Sequence, residues 1–471
     1  MTRRIILCAS TAFSISFLSI HAQEKQPNII FIMADDLGWS DLGVMGSDYY
    51  ETPHIDRLAA QGTLFDNAYA AAANSAPSRA CFLTGKYTPR HGVYTVSPPD
   101  RGPKNKRKLI PIPNKDEVDA SFVTIAEALQ QDGYQCGHIG KWHLGDAEHS
   151  TDPLSQGFIS NVAGDHAGSP YSYFYPYCNP KGTKCHIGLE QGNKGEYLTD
   201  RLTNEAIGFI HSHAKSEVPF FLYLSHYAVH LPLQAPQELI NKYNKKSKGN
   251  IHHNPVYAAM VESLDAGVGR ICQLVDSLGI AENTLIVLYS DNGGSEPTTN
   301  NFPLRGGKGT PYEGGIRVPL IMKWKGHIEE NAQCSVPVCG IDFYPTFVTL
   351  AHGKPSSDLD GEDMIRLMKR KQSNRDLFWH FPAYLESYQK SETPFRATPY
   401  SIIRSGDWKL IYYYEDQSTE LFNLRRDKEE KENLAKVNLS ENKKLYTRLT
   451  KWIRKVKAPI PHEPNPYYKH N

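Results

Sequence analysis

Asp35, Asp36, Asp291 and Asn292 offer only oxygen ligands, three of them anionic, a set that suits a hard divalent cation such as Ca²⁺ or Mg²⁺. None of the cysteines has zinc-finger spacing. Arg79, Lys141 and Lys308 add permanent positive charge, and His143, His226 and His230 bring groups that exchange protons near neutral pH. Fixed cations, titratable imidazoles and a divalent metal together make the layout for hydrolysing an oxyanion ester, where catalysis is largely positioning and charge stabilisation.

These residues are far apart in the chain, so a scaffold must gather them. Ile29 to Met33 is a continuous apolar run of buried-strand length that ends at Asp35-Asp36. The run Gln135 to Ile139 leads to Lys141 and His143, Phe220 to Leu224 leads to His226 and His230, and Leu285 to Tyr289 leads to Asp291-Asn292. Helical periodicity separates them, over Thr52 to Gln61, Thr124 to Gln131, Tyr197 to Ser212 and Tyr257 to Leu278. Apolar strands alternating with helices predict an α/β fold with a mostly parallel sheet covered on both faces. Such sheets bind ligands beyond the carboxyl ends of their strands. Asp, Asn and Gly are also what turns use, but four strands ending on polar residues at that one edge go beyond turn chemistry.

The 471 residues allow one large unit with a smaller one or a single big α/β unit, and a net charge of +1 gives no reason to expect nucleic acid as partner. Arg3-Arg4 followed by an apolar run from Ile5 to Ile20 and by His21-Ala22-Gln23 reads as a secretory signal over residues 1–22. The expectation is a periplasmic or secreted protein with no membrane insertion. Of the eight cysteines, Cys8 would leave with the signal, so an odd number remains. Cys178 with Cys185, and Cys334 with Cys339, are candidate disulfides; Cys81, Cys136 and Cys272 lie in apolar patterns as small fillers. The basic, proline-rich stretch Arg101 to Lys115 reads as an exposed insertion or hairpin, either a solvated loop or a contact for an anionic polymer. Phe343 to Leu350 continues the helical pattern, and a Lys/Arg-rich segment over 366–375 marks a boundary. Beyond it, Leu377 to Phe381, Ser401 to Arg404, Trp408 to Tyr414 and Glu420 to Asn423 predict a small antiparallel sheet with a closing helix from about Glu441 to Lys455. The division is therefore 23–370 for the main domain and 371–471 for a C-terminal subdomain.

Between the first two strand ends lies Asn74 to Gly92, NSAPSRACFLTGKYTPRHG. Pro77 suits the first turn of a helix, Ser75 or Ala76 the cap, and Gly85 its end. Ser75 then projects from a helix N-terminus, where free backbone N–H groups favour an anion. Read alone, Ser75 and Ser78 serve equally well as capping residues, and an unassisted serine is a weak nucleophile.

The stretch Ser75-x-Pro-Ser-Arg79 with Leu83-Thr84-Gly85 resembles the signature of the type I, formylglycine-dependent sulfatases. The resemblance extends through Asn28 to Gly38, Gly140-Lys141-Trp142-His143, His230-Leu231-Pro232, Asp291-Asn292-Gly293, Leu304 to Lys308 with Glu313-Gly314-Gly315, and Glu420 to Leu424, in the order of that family. It implies an alkaline-phosphatase-like α/β sandwich with a small C-terminal subdomain, and a sulfuric ester hydrolase. It further implies that Ser75 is oxidised to formylglycine by a maturase before export, in the serine-type manner of bacterial enzymes. Asp35, Asp36, Asp291 and Asn292 would then bind Ca²⁺, or Mg²⁺, together with the modified Ser75. Arg79 would hold the formylglycine hydrate, and Lys141 and Lys308 would clamp the sulfate oxygens. His230 would protonate the departing alcohol, and His143 would be the base that helps break the sulfated enzyme.

For the alcohol side of the substrate, Asp165, His166, His226 and Arg305 are the candidates, beside an aromatic run from Tyr171 to Tyr177 that suits sugar rings or simply packs. His226 is either a helper or a packed ring. The expectation is a sulfated saccharide from a glycosaminoglycan, mucin-type or algal glycan. The alternatives are a phosphomonoesterase or phosphodiesterase of the same superfold, against which stands the lack of a second ligand cluster, and a glycan-binding pseudoenzyme.

Overall fold

The computed structural model describes residues 25–370, 375–388 and 393–469, so the signal-like segment 1–22 lies outside the described residues. In chain order the first strands are β1 (Asn28–Ala34), β2 (Thr63–Phe65), β3 (Ala68–Tyr69), β4 (Gln135–Gly140), β5 (Ser160–Val162), β6 (Phe220–Ser225), β7 (Thr284–Ser290), β8 (Leu320–Lys323), β9 (Ala332–Cys334) and β10 (Val338–Cys339). The helices are α1 (Pro53–Ala60), α2 (Ser75–Thr84), α3 (Thr88–His91), α4 (Ile125–Gln131), α5 (Leu198–His213), α6 (Gln237–Lys245), α7 (Pro255–Ser277), α8 (Glu313–Ile316), α9 (Phe343–Leu350), α10 (Met364–Met368) and α11 (Leu439–Lys455).

Eight strands form the main sheet in the order β5-β4-β6-β1-β7-β8-β2-β9. Its centre, β4-β6-β1-β7, is parallel, and β8 runs antiparallel to both β7 and β2. Every residue of β1, β6 and β7 is buried, which is why these strands read as unbroken apolar runs. Alternate residues of β1 go to opposite faces. Ile29, Phe31 and Met33 join a core with α2, α4, α9 and α10, while Ile30, Ile32 and Ala34 join one with α1, α5 and α7. The Phe31 ring stacks on Phe82 with centroids 4.5 Å apart, so the first strand locates α2 directly. Burying each such ring contributes about 1.5–3 kcal/mol.

The C-terminal strands are β11 (Asp376–Phe381), β12 (Leu385–Glu386), β13 (Phe395–Ala397), β14 (Tyr400–Ser405), β15 (Trp408–Tyr413) and β16 (Thr419–Asn423). The sheet β11-β14-β15-β16 is antiparallel throughout, as its turns predict, and α11 covers it. This subdomain shares one core with Tyr69, Cys81, Tyr87 and Ile316 of the main domain. A buried ion triad adds to the join: Lys409 Nζ lies 3.0 Å from Glu313 Oε1 and 2.8 Å from Glu430 Oε1.

Cys178 and Cys185 form a disulfide. Cys334 and Cys339 do not: Cys334 ends β9 and packs beneath the main sheet, whereas Cys339 pairs through β10 with β3 and packs toward the C-terminal core, so five residues of chain send the two thiols to different places. Arg101 to Lys115 is also not a free-standing hairpin. Ile110 N donates to Glu463 O, Ile112 N to Pro382 O, and Leu109 bridges to Pro464, which lays the stretch along the C-terminal subdomain.

Candidate active site

All four polar strand ends meet at one edge. Asp35 and Asp36 follow β1, Lys141 follows β4, His226 and His230 follow β6, and Asp291 and Asn292 follow β7. The helix α2 points its first turn at them. Asn74 is its N-cap and Ser75 its first residue, one position from where the sequence places the cap, and Gly85 ends it in the left-handed conformation (φ 65°) with its N–H donating to Cys81 O at 2.9 Å. A side chain at Gly85 would also meet Tyr344 Cβ and Leu359 Cδ2 at 2.9 Å, which leaves only glycine for this turn.

The Ser75 hydroxyl lies 3.1 Å from Asp35 Oδ1 and 3.1 Å from Asn292 Oδ1. Lys141 Nζ donates to Asp35 Oδ2 at 2.7 Å. Lys308 Nζ reaches Asp36 at 2.7 Å, and Asn292 Nδ2 donates to Asp36 Oδ1 at 2.8 Å. Arg79 is wholly buried: Nε donates to Asp291 Oδ2 at 2.9 Å, Nη1 to Lys141 O at 3.3 Å and to Ser225 Oγ. Burial alone would raise the Asp35 and Asp36 pKa values, but Lys141, Lys308 and His230 outweigh it and hold both below the ordinary carboxylate value. Burial pushes Lys141 down against the pull of Asp35, whereas Asp36 more than offsets burial at Lys308 and raises it.

His143 sits in the left-handed region (φ 66°), with its N–H donating to Asp165 O. Burial, then Lys141, Arg79 and Lys308, drive its pKa well below 6.5, so its ring is neutral. His230 Nδ1 lies 2.8 Å from Leu231 O, which assigns the proton to Nδ1 and turns Nε2 toward Asp36, 3.7 Å away. Burial and Lys308 lower its pKa while Asp36 and Asp35 raise it, the net direction being down.

A cavity of about 780 Å³ opens over these groups, lined by Asp36, Ser75, His143, His230 and Lys308 at its base and by Asp165, His166, Tyr171, Tyr388 and Arg396 higher up. A family model described as Sulfatase matches residues 27–353. The chain belongs to the sulfatase family. A second model, described as the C-terminal part of N-sulphoglucosamine sulphohydrolase, matches residues 307–458 of this sulfatase. It is 36% identical to a sulfatase of Formosa agariphila over 92% of this chain and 90% of that one, and 33% identical to N-acetylgalactosamine-6-sulfatase of Mus musculus over 76% and 69%. Among solved structures, Ps i-CgsB is similar with a TM-score of 0.77 and 32% identity, over 93% of this chain and 95% of that one. The fold is the alkaline-phosphatase-like sandwich, and the protein is a sulfuric ester hydrolase.

Some substrate-side candidates sit elsewhere than expected. His226 is buried with both ring nitrogens unpartnered among the described residues and its pKa lowered by burial to about 3; it is outside the cavity and is a packed ring. Arg305 lines not this cavity but a neighbouring one, its guanidinium 3.7 Å from the centre of the Tyr312 ring and its Nη1 donating to Glu430 O, because the loop that presents Lys308 faces the first cavity only at that lysine. Asp165 lines the cavity, but its carboxylate is engaged by His186 Nδ1 at 3.1 Å and Ala167 N at 2.7 Å, while His166 reaches the cavity without a comparable tether. Of the aromatic run only Tyr171 lines it. Tyr173 is core, its hydroxyl donating to Tyr227 O and His230 O at 2.7 and 2.8 Å, so it positions His230 instead. Tyr388 and Arg396 belong to no motif, and sequence reasoning passed over them.

Proposed function

We propose that this sulfatase is an exported enzyme that hydrolyses sulfate esters of sugars by way of a formylglycine made from Ser75. The observation that carries the reading is the Ser75 hydroxyl set between Asp35 and Asn292, 3.1 Å from each, at the start of α2. The sugar part is supported by the kinship to N-acetylgalactosamine-6-sulfatase and by the similar structure of Ps i-CgsB in complex with k-i-k-neocarrahexaose.

Asp35, Asp36, Asp291 and Asn292 fit a hard divalent cation. Their side chains are buried and offer oxygen donors; carboxylate oxygens of Asp35 and Asp36 lie within 4.8 Å of each other and of His230, and Asp291 Oδ1 accepts from Asp36 N at 3.2 Å. We assign Ca²⁺, with Mg²⁺ the alternative. When bound, the cation would supply Lewis-acid polarisation of the sulfate ester, and residue 75 in its oxidised form would provide the nucleophilic oxygen. Arg79, anchored on Asp291, holds the modified residue 75, and Lys141 and Lys308 clamp sulfate oxygens. His143, kept neutral, accepts a proton in the step that frees sulfate. His230 presents Nε2 to the cavity; an arriving sulfate adds negative charge to that of Asp36, and the imidazole takes up the proton that it passes to the leaving alcohol. Residues 23–370 form the catalytic part, and 371–471 complete the cavity wall.

Protein from a host with the maturase tests this. Peptide mass spectrometry across Ser75 is expected to show loss of two hydrogens, together with turnover of monosaccharides sulfated at one known position. A fully active preparation carrying only intact serine at 75 overturns the mechanism.

A further inference from the structure

Outside the sulfate clamp the cavity is lined by Arg101, which is paired with Glu386, by the exposed Lys184, and by Arg396. Arg396, in β13, stacks its guanidinium 4.3 Å from the centre of the Tyr388 ring. Its Nε lies over Gly309, the residue after Lys308, where an added Cβ would come within 2.7 Å of it. Tyr388 is tied to the same loop, its hydroxyl donating to Lys308 O at 3.2 Å and accepting from Ser295 Oγ at 3.4 Å. Ring and glycine together hold Arg396 against the loop that carries Lys308.

Its charge is nonetheless uncompensated by any close partner. Among the described residues Arg396 makes no ion pair and its buried Nε has no hydrogen-bond partner, while Glu386 feels its charge only from beyond ion-pair distance. The carboxylate on the adjoining strand, Glu386, is occupied by Arg101 through both oxygens. Glu296 feels Arg396 but is exposed and outside ion-pair range. A guanidinium fixed by stacking, with its fork open to a cavity, matches the planar or tripodal oxygens of a carboxylate or a sulfate. The wall does not close behind it. Arg396 and Tyr388 also line an adjoining cavity of about 640 Å³ together with the charged side chains of Arg305 and Glu296 and with Tyr312 and Tyr413. There is room, and aromatic surface, for a second sugar unit beside the reacting one.

We propose that Arg396 selects substrates carrying a second anionic group, a sulfate or a carboxylate, on the sugar unit next to the one that loses its sulfate. The inference rests on the sugar-sulfate reading above and narrows it to polyanionic chains.

Three disaccharides with the same scissile sulfate test it: one with a neutral neighbouring unit, one with a sulfated neighbour and one with a uronic acid neighbour. The wild-type enzyme is expected to favour one or both charged compounds over the neutral one by about ten- to a hundredfold in kcat/KM, mostly through KM, the range of a charge-assisted contact. Arg396→Ala should bring that ratio close to one, and Arg396→Lys should restore part of it. The compound favoured identifies the anion. A wild-type enzyme indifferent to the second charge overturns the proposal, as does Arg396→Ala lowering all three compounds by the same factor, which is what a merely structural arginine would do. Cleavage of an aryl sulfate with none of the sugars accepted overturns the sugar reading itself, and this proposal with it.

Discussion

Lys308 Nζ closes on the Asp36 carboxylate at 2.7 Å, joining two residues 272 positions apart at the base of the cavity. One ammonium thus both neutralises the Asp36 carboxylate and faces the cavity where sulfate is proposed to sit. Lys308→Ala is expected to lower kcat/KM by about 10²–10³, the usual effect of removing one preorganised donor. Steady-state kinetics on a sulfate ester would measure it, and a loss below tenfold would contradict a direct role.

Asp291 serves Arg79 at 2.8 Å while contributing an oxygen to the candidate metal set. Asp291→Ala should therefore abolish activity and also destabilise the fold by about 3–5 kcal/mol, since it leaves a buried guanidinium without its partner. Chelation of the wild-type enzyme should abolish activity with a smaller loss of stability. Metal content, turnover and thermal unfolding together separate the two effects; activity surviving in metal-stripped protein would refute the metal assignment.

Asp165 and His166 are neighbours with different duties. The Asp165 carboxylate organises its loop through His186 and Ala167 N, and its backbone oxygen receives the His143 N–H. Asp165→Ala should thus lower both Tm and kcat, whereas His166→Ala should leave Tm unchanged and act on KM for a sugar sulfate. Equal changes in the two variants would show that the loop does not work this way.

Glu430 gives the fold a pH dependence. Burial raises its pKa from 4.5 to about 7, opposed by Lys409 and reinforced by Glu313. Between those values the native state keeps a proton that the unfolded chain releases, so stability falls as pH rises from about 4.5 to about 7. Glu430→Gln should flatten that part of the Tm profile. A variant whose Tm falls in parallel with the wild type across the window would count against the assignment.

The sheet centre was legible because β1, β6 and β7 are buried on both faces and therefore unbroken in hydrophobicity, and the polar residues that follow them stand out against those runs. The outer strands β2, β8 and β9 were not, being three or four residues long and defined by partners far away in the chain. Arg305 and Lys308 look alike in sequence; only the turn between them sends one to Tyr312 and the other to Asp36. Tyr173 and Tyr177 share their run with Tyr171, yet both are fully buried. The upper cavity wall was hidden for a further reason: Tyr388 and Arg396 arrive from the C-terminal subdomain, and no local pattern marks a residue whose function depends on another segment's position.

Every residue of α2, from Ser75 to Thr84, is buried, and Ser75 itself is 1% exposed. A second enzyme has no access to that hydroxyl once the helix has docked on Phe31. On the formylglycine reading proposed above, oxidation of Ser75 is therefore a race against folding: the chain would be competent for the chemistry only while it is nascent or held unfolded, and any molecule that collapses first would be locked as a well-folded, inactive serine form. The active fraction of a preparation then records the relative speeds of two processes in the cell, and slowing collapse should raise it as surely as adding more of the oxidising enzyme.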